Sequence, residues 1–389
     1  MIPVGIDTLA IYTPRYALDL KTLAKARGYD DAHYVSQLGQ EMMAVPPPGE
    51  DIVTMAANAA QEVIHDVDPH TIAMLLFATE SGIDQSKAAG IYVHDLLHLP
   101  SQCRVVELKQ ACYSGTAALQ LSLSFLHQHP DKKVLLVMSD IARYGLKTTG
   151  ESSQGAGACA LLLSMHPRLI TIDPEYGVVT QNEMDFWRPN YLDEALVEGK
   201  YSSKLYLSML EKCWQSYLAL SRRPIESHVY VCYHTPIPRL VETAHHHLLK
   251  FNRTILHREE STKQVAASLL YPRQMGNSYT AALYIAFSSL LDHVPSLSEK
   301  RIGFYSYGSG CVAEFFSGVI QPTYQAALHS AAHKMLFSNR QLLTSEDYEM
   351  FYNFRYPQDG SLHIMPVYDT GHFRLTRFEN HKRIYEEVK

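Results

Sequence analysis

The sequence carries no excess of positive charge: 34 lysines and arginines stand against 40 aspartates and glutamates, a formal net charge of −6. Binding nucleic acid by neutralising phosphates needs a basic surface, so that class of function is disfavoured. Long hydrophobic runs are missing too. No stretch reaches the length of uncharged apolar residues that a membrane span requires, and MIPVGIDTLAIYTPRY at the start has no basic segment ahead of an apolar one. The expectation is a soluble, cytoplasmic protein. Cysteine is sparse, with six residues at irregular spacing and no CxxC pair, which argues against a disulfide framework or a zinc site. His245, His246 and His247 are consecutive, so on a helix they diverge and cannot share one ion; a solvated helix face is the expected reading.

What the chain does have is 46% hydrophobic residues over 389 positions, enough for more than one large core. Strand-like and helix-like segments alternate. VGIDTLAIY near the start, the apolar run Ile72–Thr79, Arg104–Leu108, and KVLLVMS from Lys133 read as strands. Helices are expected around Asp19–Arg27, from Asp51 through DIVTMAANAAQEVIHDV, around Lys87–Leu97, and after Cys112. The alternation implies an α/β architecture with parallel pairing through crossovers. SSQGAGACALLLSM, Ser152–Met165, is a glycine-rich turn entering a strand and not a helix, so it is no nucleotide fingerprint.

The stretch around Cys112, VVELKQACYSGTAALQLSLSFL, joins a short strand to a long helix. A thiol at such a junction faces unpaired N–H groups and the positive end of the helix dipole, which favour the thiolate. An inert buried cysteine in an ordinary turn is the plain alternative. Glu80 closes the Ile72–Thr79 strand and is either an active-site carboxylate or a solvated turn residue.

The second half echoes the first. TAAL occurs at Thr116–Leu119 and again at Thr280–Leu283, in each case inside a small-residue helix that precedes a buried strand. LLFATESG likewise parallels HVYVCYHTP, so Glu80 and His234 end corresponding strands. Two similar halves, 1–165 and 166–330, are expected to face each other, followed by an extension, 331–389, packed on the second half. Strand ends of two such halves meet at one crevice. Glu80, Cys112, His234, Asn277 and Ser309 all fall there, and together they supply a thiol nucleophile, a carboxylate base, an imidazole and oxyanion-binding groups.

The stretches ATESGID, KQACYSGTA, SSQGAGA, DFWRP, EGKYS, CYHTP, GNSYT and SYGSG run in this order through the chain. They resemble the motifs of the 3-hydroxy-3-methylglutaryl-CoA synthase family of the thiolase superfamily. The resemblance implies an α/β, thiolase-like five-layered αβαβα fold with two duplicated halves, and a homodimer. It implies condensation of acetyl-CoA with acetoacetyl-CoA in the mevalonate pathway, with neither a metal nor a separate cofactor. Carried over, it makes Cys112 the acetylated thiol, Glu80 the base toward the acetyl methyl group, and His234 the group that polarises the acetoacetyl ketone. Asn277 and Ser153 would bind substrate, Ser202 matches a family serine, and the N–H groups of Cys112 and Ser309 would hold oxyanions. Where the family often carries two lysines that meet CoA phosphates, this chain has Arg239 and Thr243, and only Arg239 keeps the charge. KQACYSGTA is closer to the branch that acts in polyketide β-branching on groups bound to acyl carrier protein, which is the alternative. A non-catalytic acyl-CoA-binding protein of the same fold is a distant third, since Glu80, Cys112 and His234 are all present.

Overall fold

The computed structural model describes residues 3–254 and 256–388. Its centre is a nine-stranded sheet built from β1 (Val4–Tyr12), β2 (Ile72–Ala78), β3 (Arg104–Leu108), β4 (Lys133–Ala142), β5 (Gly155–Met165), β6 (Ile170–Thr180), β7 (Tyr230–Tyr233), β8 (Arg301–Gly308) and β9 (Val312–Ile320). The spatial order is β7-β8-β9-β6-β1-β5-β4-β2-β3. Reading outward from the middle, β1-β5-β4-β2 and β6-β9-β8-β7 repeat one pattern: antiparallel, antiparallel, parallel. The two series meet where β1 pairs with β6 at Gly5 and Ile6. A Cβ on Gly5 would lie 2.1 Å from the Ile170 carbonyl oxygen, so this joint admits only glycine. The fifth strand of the first series, β3, has no counterpart among the described residues; helices Arg258–Ala266 and Leu270–Met275 occupy that part of the second series.

The sheet is therefore mixed, which corrects the expectation of parallel pairing. A parallel connection needs a long crossover, and β8 passes to β9 through Ser309–Cys311 alone, while β4 reaches β5 through a loop with only a short 3-10 turn. Alternate residues of each inner strand enter different cores, which explains why they read as continuous apolar runs. Leu76, Leu136 and Leu161 face a central core, whereas Leu75, Leu135 and Leu162 face an outer one.

The central core is filled by two buried helices, α2 (Ser114–Gln128) and α5 (Ala282–His293), which carry the repeated TAAL segment and touch where Thr116 Oγ1 lies 3.0 Å from the Tyr284 hydroxyl. Outside the first half lies α1 (Ile52–Ile64), whose start is fixed by a reciprocal cap. Asp51 accepts from the Val53 and Thr54 N–H groups, and Thr54 Oγ1 accepts from the Asp51 N–H. Outside the second half lie α3 (Gly199–Ser221) and α4 (Pro238–Phe251). With the two strand series, joined only at Gly5 and Ile6, as the two sheet layers, helix, sheet, helix, sheet, helix is the five-layered thiolase-like arrangement.

Two expectations are corrected. The segment after residue 330 packs mainly on the first half: Tyr348, Phe351 and Tyr352 share a cluster with Leu18, Leu20, Leu23 and Met43. Its last hairpin, Phe373–Glu379 with Lys382–Glu387, lies against α1, where Tyr385 donates to Asp51 at 2.6 Å. The segment touches the second half at fewer places, where His333 meets Asp292, Arg340 donates to the Gln274 carbonyl and Tyr352 donates to Glu194 at 3.2 Å. The reason is apolar: Tyr348, Phe351 and Tyr352 cover the hydrophobic face of Leu18, Leu20, Leu23 and Met43, and Phe373 of the hairpin joins the core of α1. The three histidines do diverge, but His245 is buried and bonded to Tyr233 and Gln264, while His246 and His247 meet Ser261 and Glu211. They knit α4 to its neighbours and are not a solvated face.

Candidate active site

Each half delivers residues at the ends of its parallel strands. Glu80 follows β2 and His234 follows β7, the corresponding strands of the two series. Cys112 sits in the turn between β3 and α2, where Tyr113 N–H donates to the Gln110 carbonyl and Ser114 N–H to that of Ala111. Ala111 holds a left-handed φ of 44° to make this turn. The Gly308–Gly310 turn after β8 closes over it. A Cβ on Gly308 would come within 2.6 Å of the Tyr113 nitrogen, so the approach needs glycine there.

The Cys112 thiol donates to Glu80 Oε1 at 2.8 Å. Burial pushes the Glu80 carboxyl up to about 8, helped by the nearby Asp140 and opposed by the Cys112 hydrogen bond and Arg188. Burial and the neighbouring Glu80 likewise hold the Cys112 thiol well above its ordinary range. This corrects the thiolate expectation. Cys112 lies two residues before Ser114, the first helical residue, and loss of water plus an adjacent carboxylate outweighs the helix dipole. The resting thiol is protonated and donates its hydrogen bond to Glu80.

Asp140, fully buried at the end of β4, fixes Glu80. It accepts from the N–H groups of Glu80 at 2.9 Å and Ser81 at 3.0 Å, from Thr79 Oγ1 at 2.7 Å, and from the Thr280 N–H at 3.0 Å. Asp185 does the same for the opposite wall, accepting from Tyr307 OH at 2.6 Å, Gly310 N–H at 3.0 Å and Ser202 Oγ at 3.1 Å. Neither aspartate was singled out from the sequence, although Asp185 opens the DFWRP motif.

A cavity of about 540 Å³ reaches Cys112 and is lined by His234, Asn277, Ser153, Ser202 and Ser309. The His234 imidazole is buried, and that desolvation lowers its pKa to about 3, so it is neutral at physiological pH. Asn277 Nδ2 donates to the Tyr144 hydroxyl at 2.8 Å, and its Oδ1 accepts from the Tyr279 N–H. Tyr144, Phe186 and Tyr279 stand about 6 Å apart, centroid to centroid, as an aromatic wall that sequence reasoning missed; the motifs GNSYT and DFWRP contain two of the three. Arg239 does not line this cavity. It faces an adjoining hollow with Lys21 and Arg273, where Glu242 binds both Arg239 at 2.6 Å and Arg273 at 2.8 Å. Among the described residues, no group of three His, Cys, Asp or Glu side chains is placed to hold a metal ion, and no helix is long and apolar enough to cross a membrane.

A duplicated five-layered fold whose strand ends bring a cysteine, a carboxylate and a neutral imidazole to one crevice is that of a thiolase-like condensing acyltransferase. Family models for the hydroxymethylglutaryl-coenzyme A synthase N terminal and C terminal match residues 2–167 and 250–378. The hydroxymethylglutaryl-CoA synthase of Enterococcus faecalis is 37% identical, over 90% of this chain and 91% of that one. The polyketide biosynthesis 3-hydroxy-3-methylglutaryl-ACP synthase PksG of Bacillus subtilis is 34% identical, over 90% of this chain and 88% of its own length. The structure of MvaS in complex with 3-hydroxy-3-methylglutaryl coenzyme A superposes with a TM-score of 0.91 at 36% identity, covering both chains fully. The chain belongs to the hydroxymethylglutaryl-CoA synthase family.

Proposed function

We propose that this protein condenses acetyl-CoA with acetoacetyl-CoA and hydrolyses the product from its own cysteine, yielding 3-hydroxy-3-methylglutaryl-CoA and CoA. The observation that carries the reading is the 2.8 Å contact between the Cys112 thiol and Glu80 at the end of a cavity shared with His234. Glu80 takes the thiol proton, Cys112 attacks the acetyl carbonyl, and the proton leaves with the departing CoA thiolate. Glu80, again a carboxylate, then removes a proton from the methyl group of acetyl-Cys112. Its raised pKa matches that task better than an ordinary carboxylate's would. The enolate attacks the acetoacetyl ketone, whose oxygen becomes an alkoxide and takes the His234 N–H proton, and the proton that Glu80 took from the methyl group is returned through water to the imidazole, so both side chains end as they began. Water finally cleaves the thioester at Cys112. The N–H groups of Cys112 and Ser309 hold the oxyanions of the thioester steps, with Asn277, Ser153 and Ser202 positioning the acyl chains.

The reading places the enzyme in the cytoplasm, in the mevalonate pathway, and as a homodimer. Supporting the dimer, β3 ends the sheet with its outer edge unpaired among the described residues and Val106 exposed, which is the kind of edge proteins cover. A second reading puts the acceptor on an acyl carrier protein. It is favoured by Thr243, whose hydroxyl accepts from Arg258 at 3.3 Å in place of presenting a lysine, and by the likeness to the Bacillus subtilis carrier-dependent enzyme. Thiol release by the purified protein from acetyl-CoA plus acetoacetyl-CoA, beside acetoacetyl groups loaded on a carrier protein, separates the two. Efficient turnover of both free esters supports the first; slow turnover there and fast turnover on the carrier replaces it with the second.

A further inference from the structure

Glu314 is the third residue of β9, opposite Ser306 on one side and Val178 on the other, and it is 1% exposed. No cation pairs with it among the described residues. Its two oxygens instead accept from Tyr113 OH at 2.6 Å and from Gln120 Nε2 at 2.6 Å. These donors stand two helical turns apart on one face of α2 and its cap, so a single carboxylate grips the start of that helix at two points. Tyr113 follows Cys112 directly, and neither Tyr113 nor Glu314 lines the substrate cavity. The grip is therefore directed at the backbone that carries the nucleophile.

That backbone has something to hold. The turn depends on Ala111 at a φ of 44°, a conformation a side chain rarely adopts and one that persists only when the surroundings enforce it. Ser114 bonds back to the turn, accepting from the Gln110 N–H at 2.6 Å and donating to the Ala111 carbonyl at 2.8 Å. On the far side, among the described residues, the only long-range side-chain bond Tyr113 makes is the one to Glu314. Without it, the turn is free to relax, and the Cys112 sulfur drifts from its line to Glu80.

We propose that Glu314 is a positioning residue for acetyl transfer, acting through Tyr113 and Gln120 to hold the turn that presents Cys112 to Glu80. The proposal rests on the reading of Cys112 as the acetyl acceptor. Burial without a counter-charge raises the Glu314 carboxyl to about 7, while the hydrogen bonds it accepts from Tyr113 and Gln120 pull it the other way.

The test measures acetyl loading of Cys112 by intact-protein mass at varied acetyl-CoA, in the wild type, Tyr113→Phe, Glu314→Leu, Glu314→Gln and the Tyr113→Phe/Glu314→Leu pair. At saturating acetyl-CoA, Tyr113→Phe and Glu314→Leu load about ten- to a hundred-fold more slowly, the loss that a misplaced reacting group brings. The concentration for half-maximal rate stays within about twofold, because substrate contacts are untouched. The double variant falls no further than the worse single one, since both remove one tether. Glu314→Gln keeps most of the rate: its carbonyl accepts from Tyr113, and Gln120 can turn its amide to accept the new N–H. Tyr113→Phe removes one oxygen only, so it reports even if Glu314→Leu fails to fold. Loading by Tyr113→Phe at the wild-type rate overturns the proposal, as does a Glu314→Gln enzyme as slow as Glu314→Leu. A wild-type enzyme that takes up no acetyl group would strike instead at the reading of Cys112.

Discussion

The two halves of the molecule share a strand order but not a chemistry. At the end of β2 and at the turn into α2, the first half places a carboxylate and a thiol that donates a hydrogen bond to it. At the matching end of β7, the second half places an imidazole kept neutral by burial, with Asn277 and Ser309 beside it. The same scaffold position, Glu80 in one half and His234 in the other, thus serves opposite needs. A proton-accepting site wants a carboxylate with a raised pKa, and a ketone-polarising site wants a group that donates without carrying a permanent charge. Duplication delivers two facing strand ends, and divergence at those ends divides the labour.

The sharpest way to break this comparison is to remove the nucleophile. Cys112→Ser is expected to lower turnover at least about 10⁴-fold and to take up no acetyl group from acetyl-CoA, checked by intact mass. A normal acetyl adduct on that variant would remove Cys112 from its role. Next come the paired positions. Glu80→Ala is expected to lose about 10²- to 10⁴-fold in overall condensation, the usual worth of a general base, as read by thiol release. Undiminished turnover would refute the base.

A smaller effect lies in pH. Glu80 at about 8, Glu50 at about 7 and Glu314 at about 7 all bind protons more tightly in the folded chain than in the unfolded one. His234 and His228, lowered to about 3 and about 4 by burial, act in the opposite sense below about pH 6.5, so the glutamates decide the sign only above it: between roughly pH 6.5 and 8 the folded state holds more protons, and stability falls as pH rises through that window. Melting temperatures across the window are expected to decline with pH, and Glu50→Gln to flatten the decline. A melting temperature that climbs with pH would contradict the raised values. The smallest expected effect is at Arg239, whose charge is already engaged by Glu242. Arg239→Ala should raise the KM for CoA esters by a few-fold, about 1 kcal/mol or less, and leave acetyl loading at saturation unchanged. A large loss of loading would mean that Arg239 reaches the reacting end after all.

Much of the site was legible because the motifs sit at strand ends, where small residues and one polar group interrupt an apolar run. Glu80, Cys112 and His234 all carry that signature. Asp140 does not: it ends a strand that reads as core, and its role depends on N–H groups of Glu80 and Thr280, far away in the chain. The protonated thiol was hidden for a similar reason. A helix start is visible locally, whereas the carboxylate that reverses its effect arrives from another strand. Antiparallel pairing of β4 with β5 and β8 with β9 follows from connection length, a weaker signal than the strand–helix alternation that surrounds it. The aromatic face that draws residues 345–353 onto the first half involves side chains ordinary in sequence, and only packing shows which surface they cover.

The division of labour is tested most directly by the rate of acetyl loading in the absence of acceptor, followed by intact mass for the wild type, Glu80→Ala and His234→Ala. The account predicts that Glu80→Ala loads slowly but to completion, because the thiol has lost its proton acceptor, while His234→Ala loads at close to the wild-type rate and fails only when acetoacetyl-CoA is added. Equal slowing of loading in both variants would contradict it.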